Sequence, residues 1–476
     1  MKSLGKNALF NVIYKCFNIL FPLLTTAYVS RILLPIGIGK VAAAQNIVSY
    51  FVIIAALGLP VYGVKKISEC SDNRLLCSKT FFELFSINAI STCICSLVYI
   101  ITVLLLGYFE NKYLLSFIVG IQLFANIFNI DWFYQGIEEY KYIMYRSLFV
   151  KCIALLSVFA FVHNEGDFII YALISTLSLV VNYLFNIYHL KKYISISINK
   201  IDLKSHIKPV IILLATSLAI EVYTLADTTM LNILKNDTSV GYYTNSTKVI
   251  SLIRMLITAI CAVYLPRLNY FYSQGSMSKF TQLAKEGLYT LVTIALPAAI
   301  GFFLLSDVCV LLVFGLNFEP SIITMRILSI SIFTVAISNF IGYQVLITLG
   351  KERVVLFSTI FGAILNVLLN LILINRFAQN GAAIASVITE FFIAVYQYFV
   401  VIKYVQIKTS CRHLVTFLIP LIALTFIILL VKQFIDIFFL QIILSGILGL
   451  IVYVFLSYKL ENAIVVKLVN QIYNRL

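Results

Sequence analysis

Long apolar runs separated by short polar gaps occupy nearly the whole chain of 476 residues. Each run is close to the about 20 residues that an α-helix needs to cross the hydrocarbon core of a bilayer. The runs lack the alternation of barrel strands, and a helix pairs its own backbone groups in lipid, so the pattern predicts transmembrane helices. We expect about fourteen, near residues 8–30, 41–62, 81–107, 114–136, 147–162, 168–190, 209–233, 241–266, 284–306, 321–349, 354–375, 381–403, 413–431 and 438–458.

The composition excludes an ordinary soluble protein, because 61% of the residues are hydrophobic and only 12% are charged. No segment between the predicted spans exceeds roughly twenty residues, which leaves no room for a soluble nucleotide-binding or hydrolase domain. The first apolar run is too long and too polar for a cleaved signal peptide, so we interpret it as a retained span. The sequence therefore predicts an all-α polytopic membrane protein.

Lys and Arg residues are distributed unequally between alternate loops. With the N-terminus inside, the predicted cytoplasmic side holds roughly four times as many as the other side. This asymmetry predicts an even number of spans with both termini cytoplasmic. The net charge of +15 is then a sign of topology and of attraction to anionic membrane lipids, and it does not indicate nucleic acid.

A weak internal repeat runs through the chain. The segment GKVAAAQNIV from Gly39 aligns with GYYTNSTKVI from Gly241, at a separation of about 200 residues. This register predicts two parallel six-helix bundles, residues 1–200 and 201–408, followed by two further spans and a cytoplasmic tail in residues 409–476. We expect a cavity between such halves.

Polar side chains form one stripe on the first span. Asn11, Lys15, Asn18 and Thr25 recur at helical spacing on an otherwise apolar helix. The functional interpretation is a cavity-lining face that presents Lys15 to an anion, and the alternative is a lysine that reaches up to the lipid head groups. Arg31, at the outer end of this span, is a further candidate cation.

Spans 7, 8 and 12 carry the other ionisable candidates, which would be costly if they faced lipid. Lys248 and Arg254 on span 8 are candidate substrate-binding cations. Candidate sites for a coupling ion or proton are the carboxylates of Glu221, Asp227 and Glu390, and Thr224 is a polar neighbour of the first two. The alternative is a structural ion pair, for example between Glu221 and Lys248, that only neutralises buried charge.

The sequence contains no motif for catalysis, a metal or a cofactor. Nine cysteines are scattered without metal-ligand or disulfide spacing. There is no Ser/His/Asp set and no Gly-rich phosphate loop. We therefore expect a carrier with no cofactor, and not an enzyme.

Several segments resemble one family closely. They are SRILLPIGIGKVAAAQNIVSYF from Ser30, GLPVYGVKKI from Gly58, DWFYQGIEEYKYI from Asp131, DTTML from Asp227, VGYYTNSTKVI from Val240 and NGAAIASVITE from Asn380. These runs are similar to the Wzx-type polysaccharide transporters, repeat-unit flippases of the MATE-like multidrug/oligosaccharidyl-lipid/polysaccharide exporter superfamily. The chain departs from the family pattern at Leu34, where glycine is frequent, and at Thr228, where a basic residue is frequent.

The resemblance implies transport of an undecaprenyl-pyrophosphate-linked oligosaccharide to the outer leaflet of a bacterial inner membrane, for O-antigen, capsule or a related surface polymer. It also implies a polysaccharide polymerase and a chain-length regulator as partners. Two other functions remain open at this stage. One is a MATE-like cation-coupled drug or small-molecule antiporter, which would depend on acidic residues in the membrane, and the other is a membrane-embedded polymerase, ligase or acyltransferase, which usually needs a long outer loop or a His/Asp/Arg site.

Overall fold

Backbone amides and carbonyls in this chain are paired almost entirely within helices. The computed structural model describes residues 4–106, 112–195, 202–405 and 411–473, with side chains from residue 21 onward apart from short stretches in three of the helices. In this described part, 89% of the residues are helical and no strand occurs. The all-α class predicted from the apolar runs is confirmed.

The helices follow one another through short connections. Their bounds are α1 Leu4–Ala56, α2 Leu59–Cys70, α3 Arg74–Leu105, α4 Tyr113–Ala125, α5 Asp131–Gly136, α6 Tyr140–Phe161, α7 Phe168–Leu190, α8 Lys204–Leu234, α9 Asp237–Ala262, α10 Leu265–Ser273, α11 Met277–Leu304, α12 Ser306–Phe314, α13 Ser321–Asn339, α14 Glu352–Val401, α15 Cys411–Phe434, α16 Phe438–Lys459 and α17 Ala463–Tyr473. A π-helical segment, Phe340–Leu346, follows α13 directly.

Eleven segments among the described residues are long and apolar enough to cross a membrane. Two of these segments, Phe21–Cys70 and Glu352–Val401, are 50 residues long, well above the about 20 residues that one crossing requires. All fourteen predicted spans fall on helices, and two predicted pairs lie along α1 and α14, each of which is kinked at a residue with non-helical backbone angles, Leu34 and Ala378 respectively. The count of fourteen crossings stays a prediction.

A break between the first two predicted spans occurs at Leu34, inside α1. Its backbone has φ 57° and ψ 173°, a region that is almost restricted to glycine. The next residue is Pro35, which disfavours helical geometry in the residue before it. The structure thus gives a physical reason for the glycine that the resembling family often has at this position.

The described chain divides into two compact units. One comprises Met1–Asn232 with Asn236–Gly241, and the other comprises Ile233–Lys235 with Tyr242–Leu476. The predicted division into residues 1–200, 201–408 and 409–476 stays a prediction.

An aromatic core joins α2, α3 and α5 in the first unit. The Phe81 ring stacks on Trp132 with centroids 5.7 Å apart, and both side chains are almost fully buried. Gly63 of α2 lies against the same indole, since a Cβ built there would be 2.5 Å from Trp132 Cε3. The absence of a side chain at Gly63 therefore lets α2 approach the short helix α5.

Two glycines that the sequence repeat aligns meet at one backbone contact, also in the first unit. A Cβ at Gly39 of α1 would lie 1.6 Å from the carbonyl oxygen of Asp237, and a Cβ at Gly241 of α9 would lie 2.0 Å from that of Pro35. Gly39 thus packs against Asp237, four residues before Gly241, and Gly241 packs against Pro35, four residues before Gly39. Such reciprocity is what a duplicated contact around a local two-fold axis produces.

The last two apolar helices pack within the second unit. Lys432 of α15 lies 2.8 and 2.6 Å from the two carboxylate oxygens of Asp307 in α12 and donates to the Leu304 carbonyl at 2.9 Å. Tyr453 of α16 donates to the Thr293 carbonyl of α11 at 3.0 Å. These polar contacts fasten α15 and α16 to α11 and α12.

The glycine contact predicts a strong effect of a single methyl group. Gly39→Ala and Gly241→Ala should each lower the apparent melting temperature of the purified protein or prevent its accumulation, because overpacking at backbone contacts costs about 1–3 kcal/mol or more. The control is Gly301→Ala in α11, where a Cβ would meet nothing within 4 Å. Equal melting temperatures for all three variants would contradict the packing described here.

Leu34→Gly should raise the apparent melting temperature. Relief of the unfavourable backbone conformation is worth about 1–3 kcal/mol, and the added flexibility of the unfolded chain offsets about 0.4–1 kcal/mol of it. Leu33→Gly should instead lower the melting temperature, because Leu33 is helical and fully buried. A drop for both variants would refute the strained conformation at Leu34.

Candidate functional site

The predicted cations lie on α1 and α9. Lys248 and Arg31 have exposed side chains, and Arg254 is half-buried. The Arg254 guanidinium donates to the hydroxyl of Ser331 in α13, while its Nε has no hydrogen-bond partner. The side chains of Asn11, Lys15 and Asn18 fall outside the described residues, so the polar stripe of span 1 stays a prediction there.

The predicted carboxylates occupy three different environments. Asp227 in α8 is 5% exposed, Glu221 in the same helix is exposed, and Glu390 in α14 is half-buried. The two predicted threonines bond to their own helices. Thr25 donates to the Phe21 carbonyl at 2.8 Å, and Thr224 donates to the Glu221 carbonyl at 2.7 Å.

Asp227 belongs to a polar cluster that joins α1 to α8, formed by Asn46, Tyr50, Asp227 and Thr229. Asn46 donates to the Thr229 hydroxyl at 2.7 Å and to the Leu225 carbonyl at 3.1 Å. The Tyr50 hydroxyl lies 3.1 Å from the same Thr229 hydroxyl and is within electrostatic reach of Asp227. The sequence had singled out Asp227, whereas Asn46 and Tyr50 are found only through the packing of α1 on α8.

A second charged cluster joins α5, α6 and α7. Arg146 is almost fully buried and lies 2.8 Å from Asp131 Oδ1, which also accepts a hydrogen bond of 2.8 Å from Asn186. The guanidinium lies over the Tyr142 ring at 5.5 Å. Asp131 opens the run DWFYQG that carries the resemblance, and the ion pair fixes that run onto the neighbouring helices.

Aromatic rings cover this cluster. His189 stacks on Tyr142 at 4.0 Å between centroids, and Tyr134 packs against both. The Tyr193 hydroxyl donates to Glu139 at 2.7 Å. Burial, and secondly this hydrogen bond to a carboxylate, raise the pKa of Tyr193, so the phenol stays protonated and remains a donor at neutral pH.

A buried triad links α2, α3 and the start of α8. The Tyr62 hydroxyl lies 2.8 Å from His206 Nδ1, and His206 Nε2 lies 3.1 Å from Glu83 Oε2. The backbone N–H of Asp202 donates to the other Glu83 oxygen at 2.8 Å. These bonds fix the entry to α8, the helix that carries Asp227, against α2 and α3.

One face of α14, in the second unit, carries buried polar side chains. Ser358, Asn366 and Asn370 are buried at helical spacing on its first half. Gln397 on its second half donates to Ser358 at 3.0 Å, and its Oε1 lies close to Gly342 in the π-helical segment. Such π-helical turns are frequent at functional sites.

Among the residues whose side chains are described, no group of three or more His, Cys, Asp or Glu residues could hold a metal ion. The candidate residues supply cations, carboxylates, hydroxyls and amides, which are groups that can contact a charged, hydrophilic molecule.

The fold is shared with flippases and multidrug transporters of known structure. The lipid II flippase MurJ in an inward closed conformation matches with a TM-score of 0.65 at 16% identity, covering 94% of this chain and 100% of that chain. An inward-facing multidrug resistance MATE family transporter of the MOP superfamily matches with a TM-score of 0.64 at 17% identity, covering 81% and 94%. The fold therefore defines a polytopic membrane protein with the MurJ and MATE transporter architecture.

The sequence assigns the family. Residues 4–271 match the family described as "Polysaccharide biosynthesis protein", and the chain belongs to that family. A relative from Escherichia coli (strain K12), named "Putative O-antigen transporter", is 23% identical over 394 residues, which are 82% of this chain and 94% of the relative. The resemblance seen in the sequence runs is confirmed.

The Asp131–Arg146 pair predicts a strongly non-additive pair of substitutions. Arg146→Met should destabilise the protein by about 3–5 kcal/mol, because it leaves a partly buried carboxylate without its cation. Adding Asp131→Leu should recover most of the loss, since an apolar pair is often as stable as an ion pair. Apparent melting temperatures of the two single variants and the double variant measure this coupling, and purely additive shifts would contradict it.

Proposed function

We propose that this protein is a flippase that moves an undecaprenyl-pyrophosphate-linked oligosaccharide repeat unit from the inner to the outer leaflet, for biosynthesis of O-antigen, capsule or another surface polysaccharide. The observation that carries the proposal is the family match together with the O-antigen transporter relative across 82% of the chain. The fold shared with a lipid II flippase supports it by analogy. The protein would act as a carrier by alternating access, with no cofactor.

The cations on α9 support an anionic cargo. Lys248 lies in a helix that is long and apolar enough to cross a membrane, and its side chain is exposed. A lysine at such a position is costly against lipid, so a water-filled path is the more favourable surrounding. Ser251, one turn further along, is exposed as well, and Arg254 follows on the next turn.

The proposed contacts to the pyrophosphate and sugar are four cationic side chains, those of Lys248, Arg254, Arg31 and Lys15. Cationic side chains attract phosphate oxygens through charge-assisted hydrogen bonds, which are stronger than neutral ones. Asn11, Asn18, Thr25 and Thr224 would add polar surface along the path. The polyprenyl tail can stay in the lipid while the head group crosses.

The proposed location is the inner membrane of a bacterium, with both termini in the cytoplasm. The excess of Lys and Arg on one set of loops supports this orientation. The cargo would be received there from cytoplasmic glycosyltransferases. A polymerase and a chain-length regulator are the proposed partners on the far side of the membrane.

Loss of the charge at Lys248 should abolish surface polymer. Lys248→Gln removes one exposed cation from the proposed path, and we expect at least about a tenfold drop in surface polysaccharide, measured by immunoblot of cells whose chromosomal copy is replaced. Lys248→Arg retains the charge and should retain most of the polymer. Membrane abundance of both variants should equal that of the unmodified protein, and normal polymer with Lys248→Gln would refute this assignment.

A MATE-like cation-coupled antiporter is the second candidate, favoured by the buried Asp227 in its cluster with Asn46, Tyr50 and Thr229. A buried carboxylate near polar side chains is suited to carry an exchangeable proton. Drug resistance that depends on Asp227 and not on Lys248 would favour this alternative over the flippase. The same resistance assay, with Glu221 or Glu390 substituted, tests whether either carboxylate couples transport to an ion.

A further inference from the structure

An open surface cavity with both polar and apolar lining lies at the start of α11, in the second unit. It has a volume of about 440 Å³. Its lining is formed by Met277, Ser278, Thr281, Gln282 and Lys285 of α11 and by Tyr404, which follows α14. Hydroxyl, amide and ammonium groups thus share one opening with two apolar side chains.

The charge around this cavity is positive. None of its six lining residues is acidic, and Glu286, the acidic neighbour of Lys285, is paired with Lys467 of α17. A second cation approaches from the other wall, since Lys351 Nζ lies 5.2 Å from the centroid of the Tyr404 ring. A negatively charged ligand is therefore favoured there.

The position of the cavity suits a lipid head group. Five of its six lining residues belong to the polar start of α11, and the mainly apolar part of that helix follows after Gly287. Polar ends of spanning helices lie at the level of the head groups, where aromatic rings such as that of Tyr404 are also favoured. Met277 and Tyr404 are 40% and 41% exposed. Their apolar side chains can contact the acyl or prenyl chain of a lipid next to the polar groups.

We propose that this cavity binds the phosphate of an anionic lipid head group. Lys285 supplies the charge, Ser278, Thr281 and Gln282 can donate hydrogen bonds to phosphate oxygens, and Met277 and Tyr404 contact the adjoining chain. Two sources share this chemistry, an anionic phospholipid of the bilayer and a polyprenyl-linked pyrophosphate. Binding at this site does not depend on the protein being a flippase.

Native mass spectrometry of the full-length protein in detergent tests the proposal. The probes are dioleoylphosphatidylglycerol, dioleoylphosphatidylcholine and undecaprenyl pyrophosphate, each titrated separately. Lys285→Gln should weaken retention of the anionic lipids by at least about tenfold. Lys279→Gln is the matched control, because it removes the same charge from an exposed position of the same helix that does not line the cavity.

A second variant tests the site without a change of charge. Ser278→Phe should fill the cavity and reduce retention of the anionic lipids to a similar extent. Because Ser278 is exposed, the fold should tolerate the larger side chain. Melting temperatures equal to that of the unmodified protein confirm that both variants are folded.

The outcomes distinguish the two lipids and can overturn the proposal. Retention of both anionic lipids with the expected losses supports a site that recognises a head group with net negative charge, and retention of only undecaprenyl pyrophosphate supports a site that receives the polyprenyl lipid. Equal loss in Lys285→Gln and Lys279→Gln overturns the proposal. Equal retention of dioleoylphosphatidylcholine, or retention of neither anionic lipid, also overturns it.

Discussion

The need to pair every polar group away from water governs this protein. A backbone amide or carbonyl left unpaired in hydrocarbon costs several kcal/mol, so the chain forms helices wherever it is apolar. The same cost applies more severely to charged side chains. The described contacts meet it by joining helices to one another, as the ion pairs of Asp131 with Arg146 and of Asp307 with Lys432 do. The hydrogen bond between Glu83 and His206 does the same.

The charged side chains of these helices fall into two groups, those held in ion pairs between helices and those that are not part of such a described pair. A carboxylate held by a cation between packed helices, such as Asp131, has little freedom to take part in transport and acts as an anchor for its segment. Asp227 lies near the polar side chains that join α1 to α8, and the Lys248 side chain is exposed. The proposed function assigns the cargo and the coupling ion to residues of this second group and not to the anchoring pairs.

The backbone contact between Gly39 and Gly241 joins α1 to the start of α9. Both glycines are needed for it, because each admits the carbonyl of the residue four positions before the other. A side chain at either position would separate the two helices there. The weak sequence repeat aligns these two residues, and the contact gives a steric reason for glycine at both positions.

The sequence alone determined the helical class, the approximate places of the apolar helices and the family, because these depend on hydrophobicity, on local backbone preference and on runs of residues that are contiguous in the chain. It also gave Asp227, Lys248 and Arg254 as candidates, since charge in an apolar run is visible without a structure, and their roles stay predictions. Asn46 and Tyr50 beside Asp227, Arg146 on Asp131, and the cavity around Lys285 were decided only by tertiary structure. Their partners lie far apart in sequence, and hydrogen bonds, steric contacts and cavities depend on distances that no local pattern encodes.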